Sequence, residues 1–153
     1  MKVLFLDIDG VLNGWKSTKN SFGFDDECVK AFQPIIKIPG LKIVVSSSWR
    51  LMETPENLVK ILEENVGIPK GMIIGQTPNL AEAEELESGH VIWHGFTRED
   101  EIQAWLNKHP EVESFVVLDD LSMKGLVGDN LVQITSADGL TQEKAQKIIE
   151  KLR

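Results

Sequence analysis

The order of apolar segments in this chain predicts an α/β fold, in which a mostly parallel central sheet is covered by helices on both faces. Short apolar runs alternate with amphipathic segments along the chain, the pattern of strands joined through helices. Three of the runs, residues 3–6 (VLFL), 43–45 (IVV) and 115–118 (FVVL), are apolar at every position. Strands buried on both faces read that way. At 153 residues the chain is long enough for one hydrophobic core, and residues 1–153 are expected to form a single domain.

The remaining elements follow in order. Residues 131–134 (LVQI) are a weaker fourth strand and residues 72–74 (MII) a possible fifth. A first helix is expected near Asp25 or Asp26, burying Val29 and Phe32 and ending or kinking at Pro34. Thr54 followed by Pro55 is an N-cap with proline at the first helical position, ahead of Leu58, Ile61 and Leu62 on one face. Thr97 and Asp100 have the spacing of a capping box. Ile102, Trp105 and Leu106 then form a buried stripe, and Pro110 stops the helix. Thr141 opens a last helix in which Ala145, Ile148, Ile149 and Leu152 repeat at helical spacing. Residues 13–24, polar with interleaved aromatics, suit a short flap whose Trp15, Phe22 and Phe24 pack it down or wall a substrate. Residues 75–96 fit no regular element.

Apolar residues make up 42% and charged residues 26%, a soluble, globular balance. No stretch has the length of a membrane span, and the N-terminal apolar run turns acidic too soon for a secretory signal. Cys28 is the only cysteine, so no internal disulfide can form and a cytoplasmic location is expected. The net charge of −8 argues against broad nucleic-acid binding, which draws most of its affinity from Lys and Arg on phosphates. It does not exclude a phosphorylated substrate. Charge repulsion is screened over roughly 8 Å at physiological salt, so a metal and a few cations can dominate inside a pocket.

Three strand ends carry chemistry. The first runs into Asp7 and Asp9 within DIDGVLN, with Gly10 permitting a sharp turn. The second runs into Ser46, Ser47, Ser48, Trp49 and Arg50. The third ends in the pair Asp119 and Asp120. In an open α/β sheet the carboxyl ends of the strands are where ligands bind. Acids gathered there repel one another, at a cost that a cation or a proton relieves. As ordinary turn and cap residues the same side chains would have no such role.

In the order LFLDIDGVLN, IVVSSSWR, a later basic residue and FVVLDD, the chain resembles the haloacid dehalogenase-like (HAD) superfamily of magnesium-dependent phosphohydrolases. The stretch GFTREDEIQAWLNKHPEVESFVVLDD is similar to the HAD domain associated with RNA-repair proteins. The resemblance implies a three-layer Rossmann-like fold with a minimal cap. It also implies roles. Asp7 would be the nucleophile that forms an aspartyl-phosphate, and Asp9 the acid and then base, which requires a proton on Asp9 at the first step. Mg²⁺ would be held by Asp7, the backbone carbonyl of Asp9 and Asp120, with Asp119 in support. A hydroxyl from Ser47, two residues before Trp49, or from Ser46, the first polar residue after the strand, would meet a phosphoryl oxygen. Arg98 would supply the cation that the family usually takes from lysine, with Lys70 and Arg50 as substitutes.

The leading expectation is therefore a Mg²⁺-dependent phosphatase acting on a phosphorylated small molecule or a nucleic-acid terminus. The alternative is a non-catalytic or regulatory phosphate-binding module on the same fold. A phospho-receiver domain is disfavoured, because its phosphorylated acid should follow a strand near the middle of the chain, whereas the run at 43–45 leads into serines and Trp49 and no acid near it fills that role. His90 and His94 have the spacing of a helical metal pair, but the intervening Val91, Ile92 and Trp93 read as strand or loop.

Overall fold

The computed structural model describes residues 1–14, 23–125 and 127–153. In chain order the elements are β1 (Lys2–Leu6), α1 (Asp26–Phe32), β2 (Leu41–Val45), α2 (Pro55–Val66), β3 (Ile73–Gln76), β4 (Glu82–Glu85), β5 (Val91–His94), α3 (Arg98–Asn107), β6 (Ser114–Asp119), β7 (Leu131–Gln133) and α4 (Gln142–Lys151). Five strands form one sheet in the order β3-β2-β1-β6-β7. All four pairings are parallel. The fold is α/β and HAD-like, with β1 at the centre and β2 and β6 beside it.

The two apolar faces of β1 explain the layers. Leu4 and Leu6 point to one side, where Ala31 and Phe32 of α1, Leu58 and Leu62 of α2, and Ala145 and Ile148 of α4 close a buried cluster. Val3 and Phe5 point to the other, against Ile102 and Trp105 of α3. Phe5 meets Trp105 edge-on at 5.5 Å between ring centroids, a favoured aromatic geometry. One helix thus covers one face and three cover the other.

The helix ends obey their caps. Asp25 accepts from the Glu27 N–H at 2.9 Å, and α1 stops at Phe32, ahead of Pro34. Thr54 accepts from the Asn57 N–H, and Thr97 and Asp100 form the full reciprocal capping box. The possible fifth strand expected at residues 72–74 is β3, displaced to Ile73–Gln76. Met72 still accepts from the Ile43 N–H at 2.9 Å, but the register then shifts and the strand continues to Gln76.

Part of the unassigned stretch 75–96 is a hairpin. Strands β4 and β5 pair antiparallel, and Gly89 takes the left-handed conformation (φ +87°) that the turn requires. The strand assignment removes the helical histidine pair, since extended chain separates residues four apart by about 13 Å. Trp15 and Phe22 of the expected flap lie outside the described residues. Phe24 is buried, tilted against the Trp49 ring at 5.5 Å. No helix among the described residues is long and apolar enough to cross a membrane.

Candidate active site

Because β2, β1 and β6 run side by side in the same direction, their C-terminal ends bring three sequence segments to one rim. Asp7 extends the ladder past β1, donating its backbone N–H to Leu118 at 3.1 Å. The chain then turns, with the Val11 and Leu12 N–H groups both donating to the Ile8 carbonyl. Gly10 sits at φ +77°, and a side chain there would collide with the Asp120 carboxylate. Glycine is needed twice over, for its backbone angle and for the room it leaves.

Asp7, Asp119 and Asp120 each offer a carboxylate oxygen within 4.8 Å of the others. Asp7 and Asp119 are buried, and Asp120 is half-buried. One guanidinium nitrogen joins the first two: Arg98 Nη1 lies 3.1 Å from Asp7 Oδ2 and 3.0 Å from Asp119 Oδ2. The second Asp119 oxygen accepts from the Leu121 N–H at 2.9 Å. Burial, reinforced by the neighbouring Asp119 charge, pushes the Asp7 carboxyl up to about 8 despite Arg98. Burial raises Asp119 as well, against the opposing pull of Arg98. For Arg98, burial works against the charged form, but the facing acids outweigh it and its pKa rises.

Asp9 is exposed. Its Oδ1 accepts two hydrogen bonds, from Trp49 Nε1 at 2.9 Å and from Asn13 Nδ2 at 2.9 Å. Asn13 is oriented in turn by the Gly10 N–H, which donates to its Oδ1 at 2.7 Å.

The two serines part company. Ser47 Oγ accepts from the Trp49 N–H at 3.3 Å and caps the single 3₁₀ turn Ser48–Leu51. Ser46 Oγ is buried and has no hydrogen-bond partner among the described residues. The preference for Ser47 drawn from its distance to Trp49 therefore meets a competing local duty.

The substitute cations lie elsewhere. Arg50 is buried and spends its donors on the carbonyls of Ser47, Thr77 and Pro78 and on Glu101 Oε1, the last at 2.7 Å. Lys70 is exposed and precedes β3, which puts it at the strand-start edge, opposite the rim. Arg98, Leu121 and Lys124 line a cleft of ≈ 400 Å³, which none of Asp7, Asp119 and Asp120 lines. A slightly larger one (≈ 470 Å³), between α1 and α4, shares no residue with the rim.

A family model for the HAD domain in Swiss Army Knife RNA repair proteins matches residues 3–145 of the 153. The chain belongs to this family. Membership suggests phosphatase-type HAD chemistry, and HAD domains generally use Mg²⁺, which the Asp7, Asp119 and Asp120 cluster could hold. No curated protein and no solved structure matches the chain.

Sequence reasoning on this HAD domain passed over Asn13, Trp49 and Glu101 as site-organising residues. Asn13 had a signal, since it stands four residues beyond Asp9 across a glycine turn. Glu101 had another: a carboxylate next to Ile102 on the buried side of α3 needs a partner. Trp49 had none beyond its place in the serine run.

Proposed function

We propose that this HAD domain is a Mg²⁺-dependent phosphatase that hydrolyses a phosphomonoester through an aspartyl-phosphate on Asp7. The observation that carries the reading is the convergence of Asp7, Asp119 and Asp120 within 4.8 Å, faced by Arg98. The donor set fits a hard divalent ion: all ligands are oxygens, and three carboxylates meet the one guanidinium of Arg98. Asp7, Asp120 and the backbone carbonyl of Asp9 would hold the ion, with Asp119 fixed behind them by Arg98 and Leu121. A bound ion would offset the charge of the acids and of the phosphoryl oxygens.

The chain's own residues do the rest. Asp7 attacks phosphorus as the bond to the leaving oxygen breaks, and positioning supplies several kcal/mol of the acceleration. Asp9 gives that oxygen a proton, then takes one from the water that attacks the aspartyl-phosphate and frees Asp7. With Oδ1 held by Trp49 and Asn13, Oδ2 is the oxygen that moves the proton. Arg98 faces the phosphoryl charge, and the unpartnered Ser46 hydroxyl donates to a phosphoryl oxygen. Ser46 is preferred over Ser47 because its hydroxyl has no other duty.

The substrate class is a nucleotide or a polynucleotide terminal phosphate. Between β3 and α3 the only strands or helices among the described residues are β4 and β5, an insertion too small for a cap domain. Phe96 and Leu121, each about half exposed, border Arg98 and Asp120 in sequence and offer apolar surface for a base. The match to an RNA-repair family supports the same class. The test is phosphate release from nucleotides and from oligonucleotide 3′- and 5′-phosphates, by the native chain and by Asp7→Asn. Release by the native chain and none by the variant is expected; turnover by Asp7→Asn rejects Asp7 as nucleophile.

A further inference from the structure

The Arg50–Glu101 pair is the most fully enclosed ion pair among the described residues. The two side chains are 5% and 10% exposed, and Arg50 Nη2 lies 2.7 Å from Glu101 Oε1. Burying two charges is costly unless every donor and acceptor is used, and here the use is extensive. Arg50 Nη1 donates to the Ser47 carbonyl at 2.7 Å, and Nε to the Thr77 carbonyl at 3.1 Å. Glu101 Oε2 accepts from the Leu80 N–H at 3.0 Å. The pair therefore cross-links three segments that share no local sequence: the serine turn after β2, the chain after β3, and α3.

Two of those segments bear the groups that would meet the phosphoryl oxygens. Ser46 precedes Ser47, whose carbonyl Arg50 grips, and Trp49, which holds Asp9, is Arg50's neighbour. Arg98 stands one helical turn before Glu101 on α3. We propose that the Arg50–Glu101 pair is a positioning device that sets the serine turn and the N-terminal turn of α3 relative to one another. Through it the placement of Ser46 and Trp49 is tied to that of Arg98. Only arginine suits the task, because its planar fork reaches several acceptors at fixed angles and a lysine ammonium cannot. Arg50 and Glu101 are positioning residues; neither touches the acids. The inference rests on the phosphatase reading for its consequence, but its geometry can be tested without turnover.

Glu101→Gln and Arg50→Lys, made in the full chain, supply the test, with nuclear magnetic resonance of the metal-free protein as the first readout. Among the described residues no side-chain hydrogen bond or ion pair joins Glu101 to Arg98 or Trp49. The Arg98 side-chain N–H and Trp49 indole N–H signals are nonetheless expected to shift or broaden together in Glu101→Gln, within an otherwise native spectrum. If both signals stay in place in both variants, the coupling does not exist and the proposal is overturned, even if the melting temperature falls. The second readout is turnover of p-nitrophenyl phosphate, where kcat is expected to fall about tenfold with little change in KM, as misplacement of oriented groups does. Unchanged kcat alongside shifted signals would overturn the catalytic consequence. A native chain inactive on every phosphoester, with coupled signals in the variants, would reject the phosphatase reading and leave the positioning device standing.

Discussion

Arg98 Nη1 stands 3.1 Å from Asp7 Oδ2, an ion pair between the first residue of α3 and the residue just past the central strand. The same nitrogen is 3.0 Å from Asp119. A cation in the first turn opposes the helix dipole. Its two acid partners explain why it sits there, and the capping box secures the helix start.

Arg98→Ala should therefore act twice. Turnover is expected to fall about 10²–10³-fold, the range for removing one preorganised charge-stabilising group. The metal-free protein should lose about 1–3 kcal/mol at neutral pH, because buried Asp7 and Asp119 lose the donor that their oxygens face. Denaturant unfolding with and without Mg²⁺ checks the second effect, and excess Mg²⁺ should recover part of it. An unchanged midpoint would mean that the acids do not depend on Arg98.

The Asp7 carboxyl fixes a pH dependence. In the folded, metal-free protein its pKa stands at about 8, above the ordinary 3.8. A raised acid favours the folded state fully below the unfolded pKa, and that contribution is lost as pH rises through the folded one. Metal-free stability should thus decline between about pH 4 and pH 8, with Asp119 acting in the same direction. Near neutral pH, Mg²⁺ binding should expel about one proton as the ion takes its place. Calorimetry in two buffers of different ionisation enthalpy measures this. Binding without proton release would contradict a protonated Asp7.

Ser46→Ala and Ser47→Ala should separate cleanly. Ser46→Ala removes a buried hydroxyl that has no partner among the described residues, so thermal stability should hold or rise while turnover drops. Ser47→Ala removes the cap of the turn Ser48–Leu51, costing about 0.5–1 kcal/mol, with the smaller effect on turnover. The reverse ranking in turnover would return the phosphoryl contact to Ser47.

Trp49→Phe keeps the aromatic packing on Phe24 and deletes the indole N–H that holds Asp9. Turnover should fall about tenfold, less than the roughly 10²–10⁴-fold that general acid–base catalysis contributes, because Asp9 itself remains. The loss should grow as the leaving group becomes a poorer one, because proton delivery then matters more. A loss equal across phenyl phosphates of graded acidity would mean that Trp49 does not act through Asp9.

The strands and helix caps could be read locally because each leaves a local mark. VLFL, IVV and FVVL are apolar on both faces because both faces are covered. Thr54, Thr97 and Thr141 each cap a helix through the N–H three residues on. The hairpin at 82–94 escaped because its β4 strand is acidic and its β5 residues Val91 and Ile92 are exposed, so the usual alternation is missing.

By itself the sequence determined which segments are central strands, and that Asp7, Asp9, Asp119 and Asp120 follow two of them. Only the tertiary structure decided which basic residue faces those acids. Arg98, Arg50 and Lys70 are equally cationic on the page. Yet packing joins Arg98 to Asp7 and Asp119, encloses Arg50 among carbonyls and Glu101, and leaves Lys70 at the far edge of the sheet. The same holds for Ser46 against Ser47, and for the donors on Asp9. The reason is physical: a strand or a cap is set by neighbours a few residues away, whereas a charge's partner is set by which distant segments the sheet brings together.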